Sequence, residues 1–137
     1  MNTVMPESVS RLRQQLWRAY RALGRTLRTL QRDAPMVQGC LYLLRRRCGQ
    51  PTCRCARGHL HPTWVLTRSE AGKSRLYCVP PDQRGGLRPL AREYRRWQRA
   101  RALLIKQSAR LVALIDQLAD RRLQRWPPPK PDGPGSG

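Results

Sequence analysis

The stretch MVQGCLYLLRRRCGQPTCRCARGHLHPTWVLTRSEAGKSRLYCV, residues 36–79, decides the fold. Its two ends are apolar, with β-branched and aromatic residues, while its middle is not. Met36 to Leu44 reads as a strand, as do Trp64 to Thr67 and Arg75 to Val79. Between the last two, Arg68 to Ser74 is polar and contains Gly72, which reads as a hairpin loop. Pro80, Pro81 and Asp82 close the segment. A sheet this small buries too little apolar surface to stand alone and needs a staple.

The middle of the stretch offers one. Cys48, Cys53 and Cys55 place three thiols within eight residues, and His59 and His61 follow. Zinc prefers four tetrahedral sulfur or nitrogen ligands, and three Cys with one His is a closed structural set. Gly49 and Pro51 let the chain turn so that Cys48 aims at the same point as the other two. The flanking arginines stabilise thiolate and offset the charge of a three-thiolate site. His61, entering the next strand before Pro62, is the expected fourth ligand, with His59 and Cys78 as rivals. Cys40 and Cys78 lie in apolar strand contexts and read as packed small hydrophobes. Five cysteines is an odd number, which argues against a disulfide framework.

Working outward, Glu7 to Arg32 reads as a helix with Ser8 or Ser10 as N-cap. Val9, Leu12, Leu16, Tyr20, Leu23, Leu27 and Leu30 form its apolar stripe. Arg11, Arg18, Arg25 and Arg32 recur every seven residues on the far side, with Arg21 and Arg28 beside them. No acid lies between Glu7 and Asp33 to neutralise this ridge, so it is expected to face a ligand. Asp33-Ala34-Pro35 ends the helix.

On the other side, Arg84 to Gly86 reads as a loop and Leu87 to Arg125 as a second helix. Its stripe is Leu90, Tyr94, Trp97, Leu104, Leu111, Ile115 and Leu118, broken at Arg101 and Ser108. This helix would be about 57 Å long against about 37 Å for the first. The apolar length left over predicts coiled-coil-like packing against another chain. From Trp126 the chain is Pro- and Gly-rich and expected to be disordered. The fold class is therefore α+β, mostly α. The divisions are 1–34, a basic amphipathic helix; 35–82, the zinc-binding β segment; 83–126, the long basic helix; and 127–137, the tail.

Lys and Arg number 28 against eight acids, a formal charge of +20, and only Lys73, Lys106 and Lys130 are lysines. Such an excess opposes compaction unless a polyanion accompanies it. Arginine's planar fork suits phosphates and bases better than a membrane surface. The expected nucleic-acid contacts are Arg18, Arg21, Arg25 and Arg28 on the first helix, Arg45, Arg46, Arg47, Arg54 and Arg57 around the metal, and Arg92, Arg95, Arg96 and Arg99 after Arg88. Tyr94, Trp97 and Trp64 are read as core. No carboxylate lies in the Cys48–His61 segment, and no catalytic triad, phosphate loop or carboxylate pair stands out. The zinc is thus expected to be structural, with no enzymatic activity and no small-molecule substrate. No run of ~20 apolar residues exists to span a membrane. Residues 1–10 hold no charged leader before an apolar run, so a cytoplasmic, nucleoid- or ribonucleoprotein-associated location is expected.

The run RRRCGQPTCRCARGHLHPTW, then YCVP and EYRRW, resembles an uncharacterised bacterial family of small Arg-rich zinc-binding proteins. The resemblance covers Met36 to Arg99 and departs from the family at Pro62, where Gly is commoner. It implies the ligand set Cys48, Cys53, Cys55 and His61 and an association with mobile genetic elements. Two functions follow as expectations. One is a nucleic-acid-binding accessory factor, a homodimer acting on DNA or RNA. The other is an assembly subunit that docks on a transposase, recombinase or reverse transcriptase through its helix stripes.

Overall fold

The computed structural model describes residues 8–46, 52, 58 and 61–133, excluding the side chain of Arg46. The elements are α1 (Val9–Leu30), β1 (Cys40–Arg46), β2 (His61–Glu70), β3 (Lys73–Cys78) and α2 (Pro81–Arg122). The α+β, mostly helical class is as the sequence implies.

Ser8 caps α1: its Oγ accepts from the Arg11 N–H at 3.2 Å. The buried side of α1 is not quite the expected stripe. Leu12 and Thr26 are buried, Ala19 is half-buried, and Tyr20 and Leu27 are exposed. Leu12, Ala19 and Thr26 recur at seven-residue steps, so the buried line keeps heptad spacing but is rotated around the helix from the expected stripe. Ala19 and Thr26 fall at the centre, where Tyr20 and Leu27 were expected.

The sheet is antiparallel in the order β1-β2-β3. Cys40 pairs with Thr67 and Arg46 with His61, while Val65 pairs with Cys78 and Glu70 with Lys73. Alternation puts Leu41, Leu43, Trp64, Leu66 and Tyr77 on one face and Cys40, Tyr42, Val65, Leu76 and Cys78 on the other. The centre of β2 is buried at Val65 and Leu66. Cys40 and Cys78 are exposed, against the expectation that they pack, and both lie on the outer strands of the sheet. β1 starts at Cys40, not Met36. Instead of joining the ladder, the Val37 N–H donates to the Leu90 carbonyl at 3.1 Å. The hairpin loop is also shorter than expected. β2 and β3 continue to Glu70 and Lys73, joined by Ala71-Gly72 at φ +50° and +79°, a two-residue turn whose twist matches the strands. Ala71 adopts this left-handed conformation at a cost. Ala71→Gly is expected to raise stability by up to ~1 kcal/mol in urea denaturation.

α2 begins six residues before the expected Leu87. Pro81 occupies the first helical position, where its missing N–H is no loss, and Asp82 faces the positive end of the helix dipole. The helix carries on through Gly85-Gly86 and Pro89, overriding local propensity. Its seam also differs. Ala91, Ala100 and Leu114 are buried and Gln107 is half-buried, while Arg101 and Ser108 are exposed. The seam thus passes through Ala100 and Gln107, and Arg101 and Ser108 do not interrupt it.

The chain divides into two compact units. Residues 1–25 with 104–137 bury Leu12 and Leu114. Thr26–Leu103 holds the sheet and buries Val65, Leu66, Val79, Ala91 and Ala100. Among the described residues no helix is long and apolar enough to cross a membrane.

Candidate nucleic-acid interface

Within Thr26–Leu103, the first half of α2 carries Arg84, Arg88, Arg92, Arg95 and Arg99 at steps of four, four, three and four. That spacing keeps all five on one helix face. β2 presents Trp64 to this row. The Arg84 and Arg88 guanidinium carbons lie 4.9 and 5.6 Å from its ring centroid, within cation–π range. Between helix and sheet is an open groove of about 520 Å³. One wall is Arg88, Ala91, Arg92, Arg95 and Gln98, and the other is Gly39, Cys40, Leu41 and Trp64. Among the described residues no carboxylate lines it, so an entering anion meets three cations and an aromatic ring.

Gly39 shapes the groove. Its φ is +140°, and a Cβ there would sit 2.9 Å from both Leu66 Cδ1 and the Thr67 carbonyl oxygen. Gly39→Ala is therefore expected to destabilise the Thr26–Leu103 unit by about 1–3 kcal/mol, read as a lower urea midpoint.

Of the expected contacts on α2, Arg92 and Arg95 line the groove and Arg99 continues their face. Arg96 does not. It reaches Glu93 at 3.6 Å, and Arg32 takes the same carboxylate at 2.9 Å. Arg32 is thereby drawn off the α1 ridge, and Glu93 is the acid that sequence distance concealed. Arg88, already inside the expected helix, lines the groove, and Arg84 joins its face once α2 is seen to begin at Pro81. Tyr94 and Trp97 are half-buried and stack on each other at 5.7 Å, consistent with a packing role. Trp64 is half-buried too, but it lines the groove.

On α1, Arg18, Arg21, Arg25 and Arg28 are exposed and, among the described residues, take no part in an ion pair. Arg18 and Arg21 flank a depression with Gln14 and Trp17. Trp17, 61% exposed, lies edge-on to Tyr20 at 5.7 Å. Sequence reasoning missed Trp17 because it lies off the apolar stripe.

The chain resembles one family model, a domain of unknown function (DUF6788), over residues 9–88. The chain belongs to the DUF6788 family. No curated protein and no solved structure matches it. The DUF6788 match takes in α1, which the sequence resemblance left outside, and ends at Arg88.

Arg45 is exposed at the end of β1. Cys48, Cys53, Cys55, His59, Arg47, Arg54 and Arg57 lie outside the described residues, as does the Arg46 side chain. His61 is exposed and pairs with Arg46, so the chain leaves β1 and re-enters β2 at the same end of the sheet. His61 is thus the first described strand residue after the cysteine segment. Cys78 pairs with Val65, four residues along β2 and about 13 Å from the His61 position. His61 and Cys78 therefore cannot bind one ion together. Among the described residues no group of three potential metal ligands occurs.

At the hairpin, Glu70 Oε1 accepts from the Tyr77 hydroxyl and from Arg68 Nε, both at 2.6 Å. Arg75 stands 3.9 Å from its other oxygen. The Tyr77 hydrogen bond, then the Arg68 one, holds the Glu70 carboxyl below the usual carboxylate range. The Glu70 bond in turn raises the Arg68 guanidinium. Because Glu70 is more acidic folded than unfolded, its contribution is complete above the ordinary carboxylate range. It is lost as pH falls through the lowered value. Glu70→Gln is expected to flatten the acid limb of the stability–pH curve, checked by urea melts across pH.

Proposed function

We propose that this DUF6788 protein binds nucleic acid through the groove between α2 and the sheet, stabilised by a structural zinc held by Cys48, Cys53, Cys55 and His61. The observation that carries this is the convergence of Arg88, Arg92 and Arg95 with Trp64 on one groove that no carboxylate among the described residues lines. Phosphates pair with the guanidinium forks, and Trp64, already faced by Arg84 and Arg88, gives a base or sugar an apolar surface. Such contacts read backbone and shape more than sequence, and their strength falls steeply with salt. The zinc would supply fold, not chemistry, by closing the segment that leaves β1 and enters β2. Association with bacterial mobile elements, in the cytoplasm or nucleoid, fits this role.

Fluorescence anisotropy with labelled duplex and single-stranded DNA and RNA, in a salt series, is the test. Binding whose logarithm falls linearly with log salt supports the proposal, and no binding to any of them at low salt rejects it. A second reading, an assembly subunit of a larger nucleic-acid enzyme, draws on the exposed Trp17 and Tyr20 of α1, which offer an apolar docking surface. Co-purification of one defined enzyme from the native host would favour it.

A further inference from the structure

Residues 102–120 of α2, ALLIKQSARLVALIDQLAD, carry Lys106 and Arg110 against Asp116 and Asp120. This stretch is neutral in a chain of formal charge +20, and arginines bound it at Arg101, Arg121 and Arg122. It presents apolar residues on two sides. Leu114 is buried on one, whereas Ile105, Val112 and Ile115 are 57%, 56% and 48% exposed. Ile105, Val112 and Ala119 recur at seven-residue steps, with Ala109 beside them, the pattern of a second helix-packing seam.

The order of the four charges disfavours the helix that bears them. Lys106 and Arg110 are four apart and alike, as are Asp116 and Asp120, and such pairs destabilise a helix. None of the four has an opposite charge three or four residues away. Among the described residues, none forms an ion pair. The pattern becomes favourable only against something outside the helix.

That something is symmetric with it. Lys106 and Asp120 lie seven residues either side of Ala113, and Arg110 and Asp116 lie three either side. We infer that this face binds a second copy of the chain, antiparallel, about a two-fold axis at Ala113. Each Lys106 then lies along the partner's Asp120 and each Arg110 along the partner's Asp116. A two-fold interface makes every such pair twice. All four charges sit on the same flank of the apolar seam, and antiparallel helices bring matching flanks together. A parallel pair would set this flank against the partner's opposite flank, which carries no charge between residues 102 and 120, and leave all four unmatched. The neutral stretch, about 28 Å long, is also the part of this basic helix where two copies approach without repulsion.

Sedimentation velocity on the full chain, freed of nucleic acid, tests this across a concentration series. The protein should shift from monomer to dimer. Lys106→Glu with Arg110→Glu should weaken self-association at least tenfold, and so should Asp116→Lys with Asp120→Lys. Mixing the two variants should restore a dimer, because one face is now wholly acidic and the other wholly basic. Circular dichroism should show equal helicity, since neither variant changes the i, i+4 pattern of like charges. A wild type that stays monomeric, variants that dimerise as the wild type does, or a mixture that stays monomeric would each overturn the inference.

Discussion

Replacing Arg88, Arg92 and Arg95 together by Gln is expected to weaken nucleic-acid binding roughly 100-fold at low salt and to reduce the slope of log K against log salt by about 2.7 for duplex DNA. The slope is the sharper readout, since each phosphate neutralised contributes about 0.9 to it. The three side chains line one groove with no competing carboxylate among the described residues, so their charge is available to a ligand. Arg96 supplies the control. Its guanidinium already faces Glu93, so Arg96→Gln is expected to change the slope little. Replacing the three by Lys separates charge from shape. Lys keeps the charge and hence most of the slope, but lacks the planar fork, so affinity should still fall. An unchanged slope in the Gln variant would place the phosphate contacts elsewhere, with the α1 ridge of Arg18, Arg21, Arg25 and Arg28 next to be tested.

Much of this arrangement could be read from the residues, and what could not has physical causes. Three strands and two helices follow from apolar spacing. The groove does not, because it depends on how α2 packs against the sheet. Gly85, Gly86 and Pro89 signal a loop, and local propensity is overridden once Pro81 and Asp82 start the helix and Ala91 packs. With α2 extended, Arg84 falls in line with Arg88, Arg92 and Arg95 and reaches the Trp64 ring. The pairing of Arg32 and Arg96 with Glu93 spans 61 residues in the first case, and only the fold brings those elements together. The exposure of Cys40 and Cys78 was hidden for a similar reason. Strand pattern says which residues alternate, but not which strands lie outermost.

Removing the metal is expected to have the largest effect on stability. Cys53→Ser, or chelation of the wild type, should unfold the sheet while leaving most helix signal in place. The sheet has one buried centre, Val65 and Leu66 on β2, and its β1–β2 ladder runs from Cys40–Thr67 to Arg46–His61. Arg46–His61 is the last described pair at that end. A zinc there would tie β1 to β2 beyond the last described pair, and structural zinc supplies about 10–16 kcal/mol in small metal-folded peptides near neutral pH. That is comparable with the whole stability of an ordinary domain. Hydrogen exchange distinguishes local from global loss. Amides of residues 40–46 and 61–67 should lose protection on metal removal, while those of α1 and of residues 104–122 in α2 should keep theirs. His61→Ala should reproduce the effect if His61 is the fourth ligand. It should leave protection intact if His59 or Cys78 takes that place. A wild-type protein that carries no zinc by elemental analysis, and whose sheet is equally protected with and without chelator, would show that packing of α2 against the sheet suffices.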